Sequence, residues 1–317
     1  MRKIAFNDGW TCRHAGDSGK GKPVTIPHDA MLDEKRTQES LGGINIGWFE
    51  GFDYVYEKEF SVPQEYEDFR LVFEFEGVYR NAEVYLNGKR AGFRPYGYTN
   101  FYVEANEFLH FGMKNQIQVI AHNADQPNSR WYSGAGIYRP VSLYILPKKH
   151  IAVNGVKIST VKICPAVIDV KVETSAPGEL ELEIFEGESP VSGQEPIVKD
   201  KAVCRRNAPR CSWRSQMQNC GVQESPFLYT CRVRFEADEI EEVFGIRKIE
   251  WSAENGFLMN GNRVILRGAC IHHDNGVLGA CCYPEAEERK IRILKENGYN
   301  AIRSSPQSLF QSTSGCL

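Results

Sequence analysis

The sequence predicts a mainly β chain that turns to α/β only near its end. Three observations carry this. Short runs rich in β-branched and aromatic residues recur through the first 249 residues, with turn signals between them. One of these runs, AEVYLNGKRAG (82–92), reads as a hairpin, because Asn87-Gly88 supplies the positive-φ turn that a two-residue connection needs. After Trp251 the pattern becomes strand, helix, strand, which marks a parallel α/β unit.

In chain order, FDYVYEKEF (52–60), FRLVFEF (69–75), QIQVIAHN (116–123) and PVSLYILP (140–147) join the hairpin as strands, the last two alternating apolar and polar. Many short strands of this kind fit a sandwich or jelly roll over residues 1–149. A second β region, 150–249, holds ISTVKI, VIDVKVET, ELELEIFE and FLYTCRVRFE at short intervals, as in an immunoglobulin-like sandwich. ELELEIFE alternates, which predicts one buried and one wet face. The polar stretch from Gly187 to Pro209 is expected to be a loop or strand edge. In residues 250–317, RVILRGACI (263–271) is nearly continuously apolar and predicts a strand buried on both faces. PEAEERKIRILKENG (284–298) predicts a helix. Pro284 suits its first turn, Glu285, Glu287 and Glu288 sit near its positive end as surface charge, and Gly298 can take the left-handed cap. YNAIRSS (299–305) is the next strand.

Composition excludes several classes. Hydrophobic residues make up 42% of the 317 and charged residues 25%, ordinary for a globular chain. A net charge of −3 gives no concentrated basic face for nucleic acid or an anionic membrane. No apolar run approaches the ~20 residues of a membrane helix. MRKIAFNDGW has a basic start without the apolar core of a signal peptide, so a cytoplasmic location is expected. The ten cysteines include no CxxC pair, and Cys204, Cys211, Cys220 and Cys231 lack the paired spacing of a zinc site. Reduced, mostly structural thiols are expected.

Three stretches resemble family 2 glycoside hydrolases, which include β-galactosidases, β-glucuronidases and β-mannosidases. They are IPHDAML with GWFEGFDYVYEKEFSVP, NSRWYSGAGIYRPVSL (128–143), and FGIRKIEWSAENGFLMNGNRVILRGACIHHDNGVLGA (244–280). The resemblance implies a jelly-roll sugar-binding domain, an immunoglobulin-like sandwich, and the start of a catalytic TIM barrel over 250–317. It also implies retaining hydrolysis of a β-galactoside or related β-glycoside by two Glu residues ~5 Å apart. In the family both lie on later barrel strands, so neither catalytic Glu is expected in this chain. The second and third stretches look most like β-galactosidase members. Family members use Mg²⁺ and Na⁺, but the residues identify no cofactor, and a homo-oligomer is compatible with the resemblance.

Four residues are carried over as substrate-binding. His272 ends the first barrel strand in IHHD, where a neutral imidazole both donates to and accepts from sugar hydroxyls. His273 and Asp274 beside it are expected to support it. Arg303 in NAIRSS matches the family's Arg that holds the nucleophilic carboxylate, a task suited to a planar fork. Asn123 and Asp125, in the loop before SRWYSG, are expected to reach the sugar from the first domain. Trp48, Tyr96, Tyr98, Trp131 and Tyr132 are aromatics that either stack on a sugar or pack domains together. A non-catalytic carbohydrate-binding module is the other reading.

After Ser305 the resemblance stops. The family continues with SHNP or SHYP and a helix, whereas this chain reads PQSLFQSTSGCL. With suitable synonymous codons for this tail, deleting one C from the Pro306 codon makes the same letters read SHNPCSKALLDA. A one-nucleotide insertion in the gene, or in its reported sequence, is therefore expected. The stub would expose apolar strand edges and be poorly soluble or disordered at its carboxyl end.

Overall fold

The computed structural model describes residues 1–204, 210–217 and 226–304. The departing tail 306–317 and Cys220 lie outside them. The chain divides into two compact units, one of Arg2–Ile145 with Arg267–Leu317 and one of Leu146–Leu266 with Met1.

The first unit is built on ten strands: β1 (Arg2–Ala5), β2 (Trp10–His14), β3 (Lys22–Val24), β4 (Tyr54–Ser61), β5 (Arg70–Phe75), β6 (Ala82–Leu86), β7 (Lys89–Arg94), β8 (Phe101–Glu104), β9 (Lys114–Ala121) and β10 (Val141–Leu146). A four-stranded sheet in the order β1-β10-β5-β8 and a six-stranded sheet in the order β3-β2-β4-β9-β6-β7 enclose one core. β6 and β9 alternate buried and wetter positions, as their sequences predict. The β6–β7 hairpin turns through Asn87 (φ 49°) and Gly88 (φ 77°). β10 differs from its alternating pattern and is buried throughout. It runs between β1 and β5, and its polar Ser142 is 5% exposed, so both of its faces are covered. Trp10, Tyr56, Phe73 and Phe75 are fully buried in this core, each contributing on the order of 1.5–3 kcal/mol by removal from water.

The second unit has seven sandwich strands: β11 (Ile151–Ile163), β12 (Ala166–Thr174), β13 (Gly178–Glu186), β14 (Val198–Cys204), β15 (Arg210–Met217), β16 (Leu228–Phe235) and β17 (Asp238–Gly245). Sheets β11-β12-β15 and β14-β13-β16-β17 pack around a single core. Part of the polar stretch 187–209 forms β14, an edge strand whose Lys199 and Lys201 pair with Glu183 and Glu181 across β13. One expectation is corrected here: the outer face of β13 is drier than its alternation implies. Glu183 is 6% exposed, bonded to Lys199 Nζ at 2.8 Å and Arg234 Nη1 at 2.9 Å. A small meander follows, of β18 (Ile249–Ser252), β19 (Gly256–Met259) and β20 (Asn262–Arg263).

The closing segment belongs to the first unit. β21 (Gly268–Ile271), α1 (Pro284–Glu296) and β22 (Ala301–Ser304) form a βαβ unit with parallel strands. Pro284 starts the helix, and Gly298 (φ 79°) follows its end. The expected strand 263–271 is split, and Ile265 and Leu266 are 64% and 53% exposed. A two-stranded sheet covers neither of its faces fully, so the apolar run is not buried on both sides as its composition implies. Glu287 is not surface charge. It is 4% exposed and accepts from Asn275 Nδ2 and Lys290 Nζ, both at 2.9 Å.

Candidate functional site

The site is assembled around a buried carboxylate. Asp29 caps a short 3-10 turn, Ala30–Asp33, by accepting from Met31 N at 3.1 Å. Its Oδ1 also accepts from Ala135 N at 3.0 Å, and its Oδ2 from Ala280 N at 2.8 Å and Tyr132 Oη at 2.6 Å. Asp29 is 2% exposed, and burial pushes its carboxyl above the usual range while these four donors pull it back. It thereby ties the 132–135 loop to the stretch that follows β21. Gly134 (φ 66°) and Gly279 (φ 57°) let the backbone pass this close, since a Cβ on either would collide with the carboxylate.

The SGAGIYR motif is spent on this joint. Ser133 O accepts from His273 Nε2 at 2.9 Å. Gly136 exchanges two backbone hydrogen bonds with Tyr79. Tyr138 Oη donates to Gly97 O at 2.9 Å, and its carbonyl accepts from Cys282 N at 3.0 Å. Arg139 is 3% exposed and donates from Nη1 to the carbonyls of Glu76 and Tyr98.

One loop earlier, the backbone is shaped by Asp53. Its Oδ1 accepts from Asn123 N and Ala124 N, both at 2.9 Å, and its Oδ2 meets His122 Nδ1 at 2.8 Å. Burial pushes the Asp53 carboxyl up, but His122 and the two N–H groups outweigh it and hold it below its usual value. Asn123 is fully buried. Its Oδ1 accepts from Gln126 Nε2 at 3.1 Å and Asn128 Nδ2 at 2.9 Å, so it shapes the loop and does not present its amide to a ligand. Asp125 is the opposite case. Its side chain is 93% exposed, with Arg80 Nη2 at 3.2 Å.

From Asp125 a continuous wall of side chains leads to His272. Tyr79 Oη bonds Asn128 Oδ1 at 3.1 Å, the Tyr79 and Tyr98 ring centres are 5.1 Å apart, and Tyr98 and Trp131 are 6.5 Å apart. Trp131 lies 5.2 Å from the His272 ring. Trp131 Nε1 and His272 Nδ1 are buried atoms with no hydrogen-bond partner among the described residues. His273, expected as a support, packs between Tyr98 and Tyr138 and holds Ser133. Asp274 is exposed. Arg303 is exposed on β22, in register with Cys270, two residues before His272 on the neighbouring strand. Of the four carried-over residues, then, His272 and Asp125 belong to the wall and Arg303 flanks it, while Asn123 lies beneath it. Tyr132 serves Asp29, whereas Trp48 and Tyr96 are 42% and 45% exposed. Asp29, Asp53, Tyr79 and Arg80 were not singled out from the sequence. Asp29 and Asp53 had a signal, lying inside IPHDAML and GWFEGFDYVYEKEFSVP.

Among the described residues no group of three His, Cys, Asp or Glu could hold a metal ion, so the Mg²⁺ and Na⁺ implied by the resemblance find no ligand set here. Seven cysteines, Cys12, Cys164, Cys204, Cys231, Cys270, Cys281 and Cys282, are free thiols. No helix among the described residues is long and apolar enough to cross a membrane.

Residues 50–147 match the model of the glycosyl hydrolases family 2 sugar binding domain. Over 301 residues the chain is 33% identical to the β-galactosidase BoGH2A of Bacteroides ovatus, covering 89% of this chain and 35% of that protein. The chain belongs to glycosyl hydrolase family 2. Another family 2 relative is a β-glucuronidase of Bacteroides fragilis, 26% identical over 335 residues, covering 97% of this chain and 47% of that one. A crystal structure of a family 2 member from Bacteroides cellulosilyticus superposes with a TM-score of 0.89 at 27% identity, over 100% of this chain and 44% of that chain. The family 2 chain thus spans about a third to a half of the length of these relatives.

Proposed function

We propose that this chain is the amino-terminal part of a β-galactosidase-like retaining glycosidase, and that the Asp125–His272 wall borders the sugar it acts on. The observation that carries this is the pair of orphaned ring nitrogens, Trp131 Nε1 and His272 Nδ1, on rings whose centres are 5.2 Å apart in a wall of aromatics. A buried polar atom without a partner costs about 1–3 kcal/mol, a cost that a sugar hydroxyl in that place would remove. Asp125, held by Arg80, supplies an exposed acceptor at the far end. Retaining hydrolysis needs two carboxyls ~5 Å apart on either side of the scissile bond. Asp29 and Asp53 cannot be that pair, because both are saturated by structural donors. In this reading the wall binds and orients, and the acid and nucleophile come from barrel strands that follow β22. Restoring the SHNP reading frame after Ser305 would supply them.

The test is hydrolysis of a chromogenic β-galactoside by this chain and by the frame-restored protein. Activity in the restored protein alone supports the proposal. Hydrolysis of a β-glucuronide in its place would move the protein to the β-glucuronidase reading, which the Bacteroides fragilis relative keeps in play. Turnover by this chain itself would break the assignment of the chemistry to later strands.

A further inference from the structure

Between the Ala30–Asp33 turn and β4 the chain makes a loop that closes on itself. Arg36 and Phe49 pair across its neck as an isolated antiparallel bridge, with the Arg36 guanidinium 4.6 Å from the Phe49 ring centre. Thr37 N donates to Trp48 O at 2.9 Å, and Ser40 Oγ donates to Phe49 O. Inside the loop, Gly43 N donates to Ser40 O at 3.0 Å and Trp48 N to Gly43 O at 2.9 Å. Ile46 is fully buried and Phe49 is 5% exposed, so both anchor the loop in the core of the first unit. A closed neck and internal packing are the marks of an Ω-loop, a class that is frequently functional.

The tip of this loop is apolar and yet in water. Leu41 and Ile44 are each 78% exposed, and Trp48 is 42% exposed. The stretch LGGINIGW (41–48) holds no charged residue. Trp48 has φ 65°, a left-handed backbone that a bulky side chain adopts only against strain. Hydrogen bonds at its N–H and at its carbonyl hold it there. A rigid loop that keeps an indole at the surface under strain, beside two aliphatic side chains, presents a preformed apolar ridge.

Position and size say what the ridge meets. A Cβ on Gly42 would stand 3.2 Å from Gln126 Oε1, and one on Gly47 would stand 3.9 Å from the Tyr132 ring. The Phe49 and Tyr132 ring centres are 6.0 Å apart. Gln126 and Tyr132 are the chain neighbours of Asp125 and Trp131, so the loop runs alongside the Asp125–His272 wall. Leu41, Ile44 and Trp48 together offer at most a few hundred Å², since even an aromatic side chain covers only about 150–250 Å². A second copy of the chain would need about 800 Å² on each partner. The ridge is too small for a protein and matches one aryl or alkyl group.

We propose, resting on the glycosidase reading above, that Leu41, Ile44 and Trp48 form the subsite for the leaving group. The substrates are then β-glycosides of apolar alcohols, in preference to disaccharides.

The experiment compares kcat/KM of the frame-restored protein for methyl β-D-galactopyranoside, 2-phenylethyl β-D-galactopyranoside and lactose, followed by galactose release. Methanol and 2-phenylethanol are leaving groups of similar acidity, so their ratio reports contact with the leaving group and not bond lability. The phenylethyl glycoside should exceed the methyl glycoside by about tenfold or more, as expected for partial burial of a phenyl ring, and should exceed lactose as well. Ile44→Ser and Leu41→Ser should each shrink the phenylethyl-to-methyl ratio about threefold. Both side chains are so exposed that their loss leaves the fold intact. Trp48→Gly accepts the left-handed backbone without strain and should shrink the ratio most. If only β-glucuronides are cleaved, the methyl and phenylethyl glucuronides carry the same comparison. Equal turnover of the methyl and phenylethyl glycosides, faster turnover of lactose, or an unchanged ratio in all three variants would overturn the proposal and leave the glycosidase reading standing. A dimer in sedimentation that is lost in Ile44→Ser, with the ratio unchanged, would give the ridge to a second copy instead. No hydrolysis of any β-glycoside would overturn the glycosidase reading, and this inference with it.

Discussion

Two neighbouring parts of one stretch, NSRWYSGAGIYR, do opposite things. From Tyr132 to Arg139 nearly every polar group is consumed internally, by Asp29, His273, Tyr79, Gly97 and Glu76. One residue earlier, Trp131 turns a ring N–H into a buried space beside His272 with no partner among the described residues. A saturated group explains itself by stability, whereas a buried atom with no protein partner leaves a place for a water or a ligand. The most distinctive motif in the chain is therefore a joint, and the groups proposed to face a sugar stand at its border.

The sharpest way to break this comparison is Asp29→Ala. It strips the acceptor from three buried N–H groups and the Tyr132 hydroxyl at once. A loss of about 3–5 kcal/mol of stability is expected, as for a buried charge network that loses one partner. Urea unfolding of the variant checks it. A midpoint equal to that of the parent would mean the joint holds nothing. Asp29→Asn keeps one acceptor oxygen and should lose less.

The sandwich folds were legible because their signals are local. Alternation in β6 and β9 and the Asn87-Gly88 turn need no knowledge of distant partners. β10 reads the same way yet is buried on both sides, because its position between β1 and β5 is a topological fact. The site shows the same limit. His272 was carried over from the resemblance as a strand-end residue, and Asp125 as a residue of the loop before SRWYSG. Asn123, two residues away, reads alike but faces Met31 in the interior. Asp29 could not be ranked from sequence at all, since its donors come from positions 31, 132, 135 and 280.

The pH dependence sharpens the contrast between the two buried carboxylates. The folded-state value of Asp53 is depressed, so its stabilisation is present above the unfolded value near 3.8 and is lost as pH falls through the folded one. Asp29 is raised, so it acts in the other direction: its contribution declines as pH climbs from 3.8 toward its folded value. Asp53→Asn should therefore flatten the acid limb of a stability–pH curve below about pH 4, and the 122–128 loop should exchange its amides faster. An unaltered acid limb would show that His122 and the two N–H groups do not set the loop.

Trp131→Phe tests the unsaturated side. It keeps an aromatic ring but removes the N–H together with part of the ring packed against Tyr98 and His272. Stability should fall by about 1–2 kcal/mol from lost packing alone, because no hydrogen bond within the described residues is lost. In the frame-restored protein, KM for a β-galactoside should rise severalfold, up to about tenfold for a hydrogen bond worth about 1.4 kcal/mol. A larger stability loss with unchanged KM would place Trp131 with the joint.

The smallest effect is expected at Asp125. The Asp125 side chain is 93% exposed against 26% for Arg80, and at such an exposed carboxylate the energy of a charge pair is largely offset by hydration and side-chain entropy. Asp125→Asn should leave the unfolding midpoint where it is, and adding salt to the parent should do the same. Its consequence should be confined to ligand affinity, because a neutral amide oxygen accepts more weakly than a carboxylate. If KM for a β-galactoside in the frame-restored protein also stays fixed, the wall ends at Tyr79, and the outer edge of the loop is ordinary solvated surface.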